Sequence, residues 1–166
     1  MVLDSNALRL KEKIEAAFAD VPYPGDNNLV ETRIPEDLDA VKYFRGVKWQ
    51  DWKDKPAEFL NSKANDYSFF LSPAAFRYYL PLYMILVLTD YAASGNRAGE
   101  IITSLEALGA IDKKIRDHAK RQLSPMTAAQ LKVILEYLEF FKRKHGADYI
   151  IEDIDSAITN LQIYAK

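Results

Sequence analysis

The sequence predicts an all-α fold, a single-domain helical bundle over residues 1–166 built around a buried central helix that a proline kinks. Three observations carry this prediction. Apolar residues recur at three- and four-residue spacing through most of the chain. No convincing alternation of apolar and polar residues, no hairpin dipeptide and no internal repeat interrupts them, and only residues 28–48 leave room for a short strand pair. The window from Phe69 to Leu88 carries a single charge, Arg77, which suits an element buried on every side.

The first helix is expected over about residues 5–20, with Asp4 or Ser5 as its cap and Leu8, Ile14, Phe18 and Val21 at helical spacing. Val21 to Asn28 is dense in turn formers, and each residue before a proline is pushed towards extended geometry, so an ordered loop follows. Pro35, with Glu36 and Asp37 behind it, suits the first turn of a short helix over about 35–44 that ends near Gly46. Trp49 and Trp52 are spaced to share one face if this stretch makes a helical turn, and Pro56 opens a further short helix carrying Phe59, Leu60 and Ala64. Ser72 and Pro73 start the central helix, and Pro81 predicts a kink or a break after Leu80, because proline has no N–H for the carbonyl four residues back.

Beyond a loop at Ser94-Gly95-Asn96, Ala98 to Leu108 is periodic, with Gly109 just past its end. Ile111 to Leu123 is basic and sparsely apolar. Thr127 and Gln130 form a capping-box pattern ahead of Leu131, Ile134, Leu135, Leu138 and Phe141, and this helix closes on Lys142-Arg143-Lys144-His145-Gly146. A terminal helix over about 150–164 carries Ile154, Ala157, Ile158, Leu161 and Tyr164.

Composition narrows the function classes. With 166 residues, 49% apolar and 28% charged, the chain is one folded domain long. The absence of cysteine removes disulfides, thiolate nucleophiles, iron–sulfur clusters and Cys-ligated zinc, and it suits a cytoplasmic location. Twenty-two basic against 24 acidic residues leave no global field for nucleic acid or an anionic membrane. The opening residues show no basic segment followed by an apolar run, so no export signal is expected. Insertion of the 69–88 window into a membrane is not expected either, since Arg77 would cost about 2.5–3.5 kcal/mol near the bilayer centre.

No catalytic signature emerges. His118 and His145 stand apart and outside any metal motif, so neither a metal nor a cofactor is expected. His145 reads as a cation at a helix C-terminus. The acids at 31–39 and 148–155 are explained mostly by helix starts. Lys113 to Arg121 holds five basic residues against Asp117 and reads as a solvated face, with nucleic-acid binding as the alternative. Glu31, Glu36, Asp37 and Asp39, together with Trp49 and Trp52, are the candidate partner surface, and Arg77 is a candidate anion contact.

Two motifs go further. The stretch IEAAFADVPYPGDNN, residues 14–28, and FLSPAAFRYYLPLYM, residues 70–84, resemble a family of small bacterial proteins with a domain of unknown function, and the helix from Leu131 to His145 resembles that family's closing helix. The resemblance implies a bacterial source and a compact single domain, and it brings no activity, cofactor or catalytic residue. The expected function is protein binding, in its sharpest form that of an immunity protein neutralising a toxin, whose basic cleft an acidic 31–39 patch would match. The alternative is a small-molecule binder or enzyme using the loop Tyr23 to Asn28 and Arg77.

Overall fold

A computed structural model describes residues 3–61 and 70–166. Ala64 and Phe69 therefore lie outside the described residues. Nine α-helices and no strand are found among the described residues. Helix α1 (Ser5–Phe18) is capped by Asp4, whose side chain accepts from the Asn6 N–H. Helix α2 (Pro35–Phe44) has Pro35 at its start and Glu36 and Asp37 in its first turn, as the pattern predicts. A tight turn at Trp49–Asp51 and the short α3 (Pro56–Phe59) lead to the central helix.

Helix α4 (Pro73–Thr89) starts where Ser72 accepts from the Ala75 N–H, and it buries every residue from Tyr78 to Leu88. It runs through Pro81 without a break. Proline removes one backbone bond, but contacts with α1, α3, α5 (Tyr91–Ser94), α6 (Arg97–Glu106) and α7 (Lys113–Leu123) hold the helix on all sides. Helix α8 (Ala128–His145) begins with the full capping box of Thr127 and Gln130, and α9 (Ile151–Tyr164) completes the chain. Each long helix packs on the next: α1 on α4, α4 on α6, α6 on α9, α9 on α8 and α8 back on α1. Among the described residues, 42 buried apolar side chains link them in one core. No described helix is long and apolar enough to cross a membrane.

The strand pair for which 28–48 left room does not form. Residues 35–44 are helix, and the extended piece before them turns to the central helix instead: Val30 makes an isolated antiparallel bridge to Leu71. The Ser72 N–H donates to the Leu29 carbonyl at 2.9 Å, and Ser72 Oγ to that of Asn28 at 2.6 Å. The serine that caps α4 thus also anchors the loop ahead of α2.

Gln130 has a comparable double duty. Its Oε1 accepts from the Thr127 N–H at 3.0 Å, closing the capping box, and also from Arg77 Nε at 2.9 Å. Its Nε2 donates to the Ala17 carbonyl at 3.0 Å. One side chain, 2% exposed, therefore ties the ends of α1 and α8 to the middle of the bundle.

Candidate functional site

The loop Pro22 to Asn28 is held in place by Tyr23. Its hydroxyl donates to Asp26 at 2.6 Å and accepts from the Gly46 N–H at 2.9 Å. Gly46 has φ of 71°, a left-handed conformation that favours glycine, and this turn exposes its N–H to the tyrosine. The Tyr23 ring meets Tyr78 of α4 edge-on at 5.7 Å. Burial, then the Asp26 carboxylate, push the Tyr23 hydroxyl above its ordinary pKa, so it stays protonated and can donate. One ring of the loop thus rests against the aromatic helix.

Arg77 makes no described hydrogen bond or ion pair with this loop. Its Nε is engaged by Gln130, and no carboxylate pairs with it among the described residues. Its one described side-chain partner is an amide oxygen.

The predicted partner surface divides. Trp49 is 1% exposed and belongs to the core, so it offers no surface. Trp52 is half-buried, stacked on Phe59 at 5.3 Å, with Lys55 Nζ 5.1 Å from its ring centroid. Phe59 in turn meets Tyr43 and Phe44 of α2, so Trp52 borders only the C-terminal half of that helix. Asp37 is buried and accepts from the Thr32 hydroxyl, which fixes the turn entering α2 rather than presenting charge. Glu31, Glu36 and Asp39 are exposed.

This surface is not acidic. Between residues 31 and 45 the exposed charges are Glu31, Glu36 and Asp39 against Arg33, Lys42 and Arg45, a balance of three to three. Glu31 is moreover gripped by Arg121 of α7 through two bonds, Nε at 3.1 Å and Nη2 at 2.8 Å. Asp39 has Lys42 at 3.5 Å. The basic segment is drawn down in the same way, since Lys113 pairs with Asp117 and Arg116 donates to the Ala110 carbonyl at 2.9 Å.

What stands out on α2 is apolar. Ile34 and Leu38, one helical turn apart, are 49% and 42% exposed. Beside them is a pocket of about 200 Å³ floored by Leu29, Val30, Leu38 and Val41 and rimmed by Asp26, Glu31, Arg33 and Arg45. Asp26 and Glu31 are engaged by Tyr23 and Arg121, while Arg33 and Arg45 enter none of the described ion pairs. In the sequence this ridge is masked by the acids that flank it at 31, 36, 37 and 39. The available signal was an i, i+4 aliphatic pair facing away from the buried Asp37, Ala40 and Phe44.

His145 also differs from expectation. His145 is half-buried, stacked on Tyr91 at 3.7 Å and 15°, with Phe141 on its flank at 5.6 Å. Burial, reinforced by Lys144 and opposed by Asp148, lowers its pKa, so near neutral pH it is an uncharged ring rather than a helix-end cation. No cluster of metal-ligating side chains occurs among the described residues. The acids at 148–155 divide too: Glu152 and Asp153 sit in the first turn of α9, and Asp155 accepts from Lys142 at 2.5 Å.

Among known proteins, the model of a family of unknown function, DUF6714, matches residues 6–163. No curated protein and no solved structure matches the chain.

Proposed function

Since the chain belongs to DUF6714, a family of unknown function, we propose its role from its surface: it is a protein-binding domain that docks through the outer face of α2. The observation that carries this is the exposed Ile34–Leu38 pair, an apolar centre ringed by Arg33, Glu36, Asp39, Lys42 and Arg45. An apolar centre with a charged rim containing arginine is the ordinary anatomy of a protein interface.

In its sharpest form the domain is a bacterial, cytoplasmic immunity protein that neutralises a toxin by covering its active site. The balanced charge of the surface changes how that would work. An acidic shield would steer a basic toxin from a distance and lose association rate steeply with salt; a balanced rim around aliphatic side chains gives an association rate that salt changes little. Affinity then resides in the dissociation rate.

Co-expression with the product of the neighbouring reading frame tests the reading. Rescue from toxicity and a co-purifying complex are expected, and Ile34→Ser with Leu38→Ser should abolish both while leaving the melting temperature within a few degrees. No complex and no rescue by the unaltered chain would sink the toxin form. Capture of a protein partner that the double variant still binds would sink the assignment to α2.

A further inference from the structure

Helix α7 touches the bundle along a narrow stripe, and beside that stripe its packing is incomplete. Between α6, α7 and the start of α4 lies a pocket of about 200 Å³. Phe76, Leu105, Ala107, Ile115, Ala119 and Leu123 form its apolar walls, with Thr103 and His118 also lining it. Interiors are packed to crystal density and rarely keep such a space, and an apolar cavity of about 150 Å³ is enough to take up benzene. The volume suits one six-membered ring with a short substituent and excludes a nucleotide or a long acyl chain.

The charge around it narrows the ligand further. On α7, Lys114, His118 and Arg121 fall at i, i+4 and i+7, a stripe directly beside the Ile115–Ala119–Gln122 stripe that lines the pocket. Arg121 is committed to Glu31 and Lys113 to Asp117. Lys114 stands one residue outside the lining and enters none of the described ion pairs, while His118, four residues on, lines the pocket with Arg121 Nη2 3.2 Å from its Nδ1 and Gln122 Nε2 3.4 Å from its Nε2. No carboxylate lines this pocket. An apolar depth with a cation along its edge is complementary to a small molecule that is a ring at one end and an anion at the other.

We propose that this pocket binds a small aryl carboxylate, its ring between Phe76 and the Ile115–Ala119 face and its carboxylate beside Lys114 and His118. The site is separate from the α2 surface and does not depend on it. It also gives the basic segment at 113–121 a use that requires no nucleic acid.

The test titrates the full chain with benzoate and, separately, with the neutral benzyl alcohol, following backbone amide resonances. Saturable shifts confined to residues around 103–107 and 115–123 are expected for both, with benzoate the tighter. Lys114→Glu, on the exposed edge, should weaken benzoate about five- to tenfold and leave benzyl alcohol unchanged. Ala119→Phe should fill the pocket and abolish both, and its resonance dispersion will show whether it folds; if it does not, the Lys114→Glu result decides alone. Absence of saturable shifts, shifts centred elsewhere, or equal benzoate affinity in the Lys114→Glu chain would overturn the proposal.

Discussion

Helices α4 and α7 lie against each other, yet they are held in opposite ways. Helix α4 buries thirteen of its seventeen residues and α7 three of its eleven, Ala119, Gln122 and Leu123. A helix gripped on all sides can carry a fault in its own backbone, which is why Pro81 neither stops nor splits α4. A helix gripped on one stripe keeps its charges in water and leaves space along its edges. Close packing and open surface are thus placed in different parts of one small domain.

The largest effect is expected on α4. Leu82→Ala, at a site with no exposure, should cost about 2–5 kcal/mol in chemical denaturation. A loss below about 1 kcal/mol would mean that the central helix is not the core. The next largest effect belongs to Gln130, the side chain that joins α1, α4 and α8. Gln130→Ala strands the Thr127 N–H, Arg77 Nε and the Ala17 carbonyl together, for about 2–4 kcal/mol. Gln130→Glu keeps the acceptor for Arg77 and Thr127 but cannot donate to Ala17, so it should fall between the two. If Gln130→Ala and Arg77→Ala cost the same alone and together, the two residues act as one unit; additive losses would separate them.

A smaller effect depends on pH. The folded pKa of His145 lies below its free value of 6.5, so the folded chain binds fewer protons there than the unfolded chain does. The contribution of His145 is therefore complete above about pH 6.5 and declines as pH falls through the folded value. Melting temperatures taken between about pH 7 and pH 5 should drop less in His145→Phe than in the original chain, the phenyl ring keeping the stack on Tyr91 without a titrating group. Equal slopes would show that the stack carries no such linkage.

The smallest effect lies on α7. Arg121→Gln breaks an exposed, bidentate pair and should cost no more than about 1 kcal/mol at low salt, a difference that high salt removes. A larger, salt-resistant loss would mean that α7 is held more firmly than its three buried residues imply.

Much of the fold was legible in the sequence. The bounds of α2, the start of α4 at Ser72-Pro73, and the capping box of α8 all depend on neighbours three or four residues away, and such spacings are visible in a string of letters. The candidate site was legible only in part. Glu31, Glu36 and Asp39 are exposed, but the spacing of Trp49 and Trp52 says nothing about which one is swallowed by the core. Nor does a run of acids reveal that Thr32 takes Asp37 inward, or that Arg121, ninety residues away, grips Glu31.

The sequence alone determined an all-α domain without thiol chemistry, with its acids at 31–39 and 148–155 and its bases at 113–121 and 142–144. Only the tertiary structure decided that these clusters meet. Glu31 pairs with Arg121 and Asp155 with Lys142, so charges that look like separate patches along the chain partly cancel in space. Helix formation is governed by short-range geometry, whereas the field and shape of a surface depend on which helices pack side by side. That packing left an aliphatic ridge on α2 and an apolar pocket beside α7 as the features open to a partner.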